Sequence, residues 1–225
     1  MEEKMDQNRF FAMIVTDMIG EHAHEIKVFF QEIGAEKTMA VLKEKKFHHD
    51  LCKIAQPLLR VYFQEIGDEK TRTILKENNF NFDLCQIAQL PLMEYFQVAG
   101  EKKTFAILKK SGFDCNLCAL AISSGALDGS QVMVILIQKE FDNNLCEIAQ
   151  PLLSTYFQEI GWKKTFTILK EHEFNYCLCQ IARPLLNLYF QGIGKDKTLA
   201  FLKEHDEHGV LCEIARPLLI RWFYL

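Results

Sequence analysis

The sequence predicts an all-α fold, an α-solenoid of about six stacked helical hairpins of 33 residues each. Three observations carry this expectation. The dipeptide Leu-Cys recurs at Leu51-Cys52, Leu84-Cys85, Leu117-Cys118, Leu145-Cys146, Leu178-Cys179 and Leu211-Cys212, with spacings of 33, 33, 28, 33 and 33 residues. Apolar residues within each copy follow a helical rather than an alternating period. A proline and a glycine return at fixed places in most copies. A constant period of this size marks one supersecondary unit copied along the chain, and a single copy cannot bury its apolar face alone.

Aligned on this period, residues 1–46 form a degenerate N-terminal repeat, its pattern beginning near Ile14. Residues 47–112 form two regular repeats, 113–140 a shortened and irregular one, 141–206 two more regular ones, and 207–225 a C-terminal half-repeat. The regular units begin at Phe47, Phe80, Phe141 and Phe174, and the short one at Phe113.

The first segment of a unit reads as a helix. Leu51, Ala55, Leu58, Tyr62 and Ile66 lie on one helical face. Asp50, Asp83, Asn116 and Asn144 stand where an N-cap side chain could accept from free N–H groups. Pro57, Pro151, Pro184 and Pro217, with Pro91 one place later, are expected to kink this helix, because proline removes a backbone bond and crowds the preceding turn. Gly34, Gly67, Gly100, Gly161 and Gly194 are expected to close it. A shorter second helix follows, with Thr71, Ile74 and Leu75 on its buried side. The unit length is close to that of tetratricopeptide and ankyrin repeats, but their diagnostic residues are absent.

With Tyr62 centred on the buried face, Arg60 falls opposite, and its counterparts Met93, Ser154 and Asn187 share no chemistry with it. Such variation reads either as drift on a solvated surface or as a row of specificity positions. Gln64, Gln97, Gln158 and Gln191 do not vary at all, which suggests an amide ladder between units or contact with a bound chain. Lys37, Lys70, Lys103, Lys164 and Lys197 form a basic column, each residue just before a threonine. Near helix N-termini such a column could track phosphates, although acidic neighbours (Glu36, Glu69, Glu101, Asp196) dilute its field.

The short unit lacks the proline. It carries Ser123-Ser124-Gly125-Ala126-Leu127-Asp128-Gly129-Ser130 instead, a helix-breaking run. Its first helix is expected to end about two turns early, leaving a notch or hinge, with Ser123, Ser124 and Asp128 as candidate binding residues.

Cys115-x-x-Cys118 and Cys177-x-Cys179 have ligand-like spacing. The pairs would lie about 20 Å apart at roughly 10 Å per helix layer, so no zinc site is expected. The N-terminal histidines His22, His24, His48 and His49 match no zinc motif and read as surface residues. No phosphate loop, nucleophile elbow or carboxylate pair stands out, and no cofactor is expected. The chain of 225 residues is 49% hydrophobic with a net charge of −4, which disfavours nucleic acid as the main partner. No secretory leader and no membrane span are expected, and six cysteines in one repeat slot suit a reducing, cytoplasmic compartment. The expected function is a non-enzymatic scaffold that binds a protein or peptide. The alternative is a modular nucleic-acid binder using the lysine column. The apolar end, Leu218 to Leu225, is expected either to self-associate as a homodimer or to fold back onto residues 174–202.

Overall fold

The computed structural model describes residues 19–206 and 209–224. These residues contain helices and no strand. The pattern near Ile14 and residues 207, 208 and 225 of the last half-repeat lie outside them. The chain divides between Ser124 and Gly125 into two compact units.

The first unit contains α1 (Ala23–Ile33), α2 (Ala35–Glu44), α3 (His49–Glu77), α4 (Phe82–Ile87), α5 (Gln89–Ala99), α6 (Glu101–Lys110) and α7 (Cys115–Ser123). Helix α1 packs against α2 and α3, α3 against α4 and α5, and α5 against α6 and α7. The second unit contains α8 (Gly129–Gln138), α9 (Asn143–Glu171), α10 (Tyr176–Ile181), α11 (Arg183–Ile193), α12 (Lys195–His205) and α13 (Val210–Tyr224). There α9 packs against α8, α10 and α11, and α11 against α12 and α13.

One joint recurs at the bend of every hairpin but the short one. Gly34, Gly67, Gly100, Gly161 and Gly194 have φ from 73° to 80° and ψ from 167° to 175°. Only glycine occupies this region without strain. Four residues before each glycine stands a phenylalanine (Phe30, Phe63, Phe96, Phe157, Phe190) that is 0–1% exposed. Four residues after it stands a fully buried threonine (Thr38, Thr71, Thr104, Thr165, Thr198). The threonine Oγ1 lies 3.1–3.3 Å from the phenylalanine carbonyl in all five joints and donates back across the bend. In four of them it also lies 2.8–3.1 Å from the glycine carbonyl. The carbonyls of Phe30, Phe96 and Phe190 also accept from the joint glycine N–H at 3.1–3.2 Å, so the threonine adds a second donor there and ties the second helix to the end of the first.

The prolines do not kink every first helix. Helices α3 and α9 run through Pro57 and Pro151 and leave helical geometry only at Gly67 and Gly161. In the other regular hairpins the break falls at Ala88 and Ala182, which places Pro91 and Pro184 in the first turn of the restarted helices α5 and α11. A proline there loses no intrahelical bond, because first-turn N–H groups have none.

The N-caps also lie two residues earlier than the pattern suggested. Asn81, Asp114, Asp142 and Asn175 accept from the N–H groups of Leu84, Leu117, Leu145 and Leu178. The residues expected as caps fall inside the first turn, and two of them reach the preceding hairpin. The Asp83 carboxylate lies 2.6 Å from His49 Nδ1, and Asn116 Nδ2 donates to the Phe80 carbonyl at 2.9 Å.

The turn into the next hairpin holds two successive residues at positive φ. These are Lys46-Phe47, Asn79-Phe80, Gly112-Phe113, Glu140-Phe141 and Glu173-Phe174. Each phenylalanine N–H donates at 2.7–2.8 Å to the carbonyl of a buried leucine five residues back. This is the bond that closes a Schellman-type helix end, where the first positive-φ residue is ordinarily glycine. Four of the five turns place another residue there. Glu173→Gly is therefore expected to raise stability by about 0.5–1 kcal/mol, the left-handed strain removed less the added chain entropy. Equilibrium denaturation checks it as a higher midpoint at unchanged slope.

Candidate partner-binding surface

The buried face of the first helix is centred one residue later than the wheel placed it. Leu51, Cys52, Ala55, Leu59 and Phe63 are buried, whereas Leu58 and Tyr62 are half-buried. A shift of one residue rotates the wheel by about 100°. Arg60, Met93, Ser154 and Asn187 are therefore half-buried on the flank of the helix rather than opposite the core. The Nε of Arg60 and the Oδ1 of Asn187 are buried with no hydrogen-bond partner among the described residues.

Gln64, Gln97, Gln158 and Gln191 are exposed, as the wheel placed them. Among the described residues, one of these four has a hydrogen bond: Gln97 Nε2 donates to the Ser124 carbonyl at 3.0 Å. No two of these amides bond each other among the described residues, so they form no amide ladder. Lys37, Lys70, Lys103, Lys164 and Lys197 are all exposed in the first turn of a hairpin's second helix. Lys103 Nζ lies 5.4 Å from the centroid of the Tyr95 ring.

The short hairpin ends its first helix at Ser123, as expected. The run that follows is not an open notch. Ser124 is buried and its hydroxyl donates to the Ala121 carbonyl at 2.7 Å, while Ala126, Leu127 and Gly129 are also buried. Ser123 and Asp128 are exposed. Asp128 and Gln131 form a capping box that starts α8. Partial burial pushes the Asp128 carboxyl up. The hydrogen bonds from the Ser130 hydroxyl and the Gln131 and Ser130 N–H groups outweigh this and hold it below its ordinary value.

The chain contains eight cysteines, all present as thiols. Cys52, Cys85, Cys118, Cys146 and Cys179, the Leu-Cys members at positions followed by another helix pair, are buried. Cys212 and Cys115 are exposed, and Cys177 is half-buried. Burial pushes Cys52, Cys85, Cys146 and Cys179 up to about 12. Asp83, Asp114 and Asp206 add to this at Cys52, Cys85 and Cys179, and the Cys177 thiol and Asp142 add to it at Cys146. Burial and Asp206 raise Cys212 to about 11. No group of three or more metal-ligating side chains occurs among the described residues, and no helix among them is long and apolar enough to cross a membrane.

Helix α13 packs against α10, α11 and α12. Lys195 Nζ donates to the Trp222 carbonyl at 3.4 Å and lies 3.7 Å from the centre of the Phe223 ring. Ile220 and Phe223 are each about half exposed on it.

A column that the sequence reading did not single out runs through Tyr62, Tyr95, Tyr156 and Tyr189, each directly before a buried joint phenylalanine. The ring of Tyr189 stacks on Trp162 at 3.6 Å and 15°. Around this pair Phe166, Phe201 and His205 form one half-buried aromatic cluster in the second unit. The sequence signal is the recurring Tyr-Phe-Gln, in which the helical wheel centres Tyr62 on the buried face.

No protein-family model, curated protein or solved structure matches the chain.

The thiols offer a direct check of this geometry. With a disulfide reagent at pH 8, Cys115 should react first and Cys212 more slowly, and the five buried Leu-Cys thiols only on unfolding. An unfolded cysteine ionises near about 8.5. Stability should therefore be full below that pH and should fall as pH rises from about 8.5 toward 12, because the unfolded state sheds protons that the fold retains. Denaturation midpoints across this range read the loss.

Proposed function

We propose that this chain is a non-enzymatic α-solenoid scaffold that binds a protein or peptide, working in a reducing, cytoplasmic setting. The observation that carries the reading is the recurrence of one joint in five hairpins while an exposed row of the first helices, Lys53, Gln86, Glu147 and Glu213, changes in charge. A rigid repeated frame with variable surface residues presents a long contact area at little ordering cost. Within each unit, successive first helices lie against one another, which fits stacked hairpins sharing a continuous apolar seam. Six such hairpins, the fourth shortened, follow from the sequence period.

The binding residues in this reading are the exposed glutamines Gln64, Gln97, Gln158 and Gln191 and the half-buried row Arg60, Met93, Ser154 and Asn187 beside them. Ser123 and Asp128 complete the set. The exposed apolar residues of α13 are the proposed homodimer contact. The exposed lysine column favours a second reading, a modular nucleic-acid binder with one phosphate contact per hairpin.

Two measurements decide between the readings. Retention on heparin or mixed nucleic acid at low salt, lost with a steep salt slope, supports the second. The scaffold reading expects no such retention. It also expects a saturable protein partner whose capture is lost when the exposed Lys53, Glu147 and Glu213 are reversed in charge together.

A further inference from the structure

In three of the four hairpins of the tyrosine column, the face of the tyrosine ring is covered by a neighbouring part of the chain. Trp162 stacks on Tyr189. Gly129 lies against Tyr156 so closely that a Cβ there would come within 2.3 Å of the ring. The Arg72 guanidinium sits 4.9 Å above the centre of Tyr95, and its Nη2 lies 3.4 Å from the Asp68 carboxylate.

Tyr62 has none of these covers. It lines a cavity of about 230 Å³ together with Glu36, Met39, Ala40, Lys43, Ile74 and Glu77, and Asn78 completes the wall. The residue five places after the joint glycine explains the difference. After Gly67 it is Arg72, which covers the next tyrosine, and after Gly34 it is Met39, which carries no charge. Asp68, the carboxylate that pairs with Arg72, is likewise replaced by Ala35, but other carboxylates line this cavity. Glu36 and Glu77 flank the cavity against a single base, Lys43. Burial, with the charge of Glu36 across the same cavity, raises the Tyr62 hydroxyl above its ordinary value.

We propose that this groove, between α2 and the second half of α3, takes the guanidinium of an arginine side chain presented by a partner polypeptide, in the manner in which Arg72 occupies Tyr95. A cation over a tyrosine face, with a carboxylate at its edge, is attractive on both counts. The groove's excess of acid over base selects for that charge. The inference rests on the scaffold reading and adds the chemistry of the partner at one groove.

The test uses the full chain with its methionine methyl groups labelled with carbon-13. It is titrated by NMR with the peptide Gly-Ser-Arg-Ser-Gly, and with counterparts carrying citrulline or tryptophan in place of arginine. The arginine peptide should shift the Met39 methyl and the Tyr62 ring saturably, and the citrulline peptide should bind about tenfold more weakly. Met39→Arg, which fills the groove from within, should abolish the effect. Arg72→Met, made together with Lys103→Ser to remove the second cation over that ring, should open a second saturable site at Tyr95. Glu36→Gln with Glu77→Gln alters only exposed side chains and should weaken binding without changing the melting temperature, which keeps the test decisive even if Met39→Arg misfolds. The proposal is overturned by any of four results: no saturation, citrulline or tryptophan binding as tightly as arginine, no loss in the glutamine pair, or no new site in Arg72→Met with Lys103→Ser. Failure here with a charge-sensitive partner still captured elsewhere would leave the scaffold reading intact; loss of that capture would count against the scaffold itself.

Discussion

The structure depends on a threonine hydroxyl bonded across a glycine bend to the carbonyl of a phenylalanine eight residues earlier. At each of the five joints the first helix must stop beside the largest buried side chains. Phe63 and its four counterparts are essentially inaccessible to water, so their carbonyls depend on protein donors. At Phe30, Phe96 and Phe190 the joint glycine N–H is one such donor. The threonine hydroxyl of the second helix is another in all five, as Thr71 is to Phe63, across a glycine whose backbone conformation is closed to other residues. Three residues spaced four apart thus do three jobs: they fill the core, turn the chain and satisfy the turn.

Repetition of that joint makes the hairpins geometrically alike, and the functional argument follows from this likeness. Equivalent positions can be compared as environments rather than as letters. Tyr62, Tyr95, Tyr156 and Tyr189 occupy one slot, yet their rings meet a cavity, a guanidinium, a glycine backbone and an indole in turn. A surface position that changes is open to drift. A cavity whose counterparts are filled by the chain itself shows the chemistry that fits it.

Much of this was legible in the sequence. The 33-residue period, the helical character, the five joint glycines and the buried Leu-Cys slot all follow from spacing and residue type. The misreadings have definite physical origins. Leu58-Leu59 and Tyr62-Phe63 are apolar pairs, so the periodicity admits two phases, and packing selects the later one. The cap register was displaced because Asp83 and Asn116 are good capping types that serve the preceding hairpin instead, by contacts 34 and 36 residues away in sequence. The left-handed turns before Phe47, Phe80, Phe141 and Phe174 carry no glycine and so no local signal. Exposure of the lysine and glutamine columns was readable from the wheel. The groove at Tyr62 was not, because it exists through the relation of Met39 to Arg72 and is a property of two hairpins rather than of either residue.

The central claim is tested most directly by placing one methyl group at two glycines. A Cβ built at Gly67 or at Gly192 meets nothing within 4 Å, so crowding plays no part at either. The two differ in backbone conformation: Gly67 has φ 78° at a joint, while Gly192 lies within helix α11. Equilibrium denaturation should find Gly67→Ala destabilised by about 1–3 kcal/mol. The same measurement should find Gly192→Ala stabilised by about 0.5–1 kcal/mol. Equal or greater stability of Gly67→Ala relative to the unaltered chain would contradict the account.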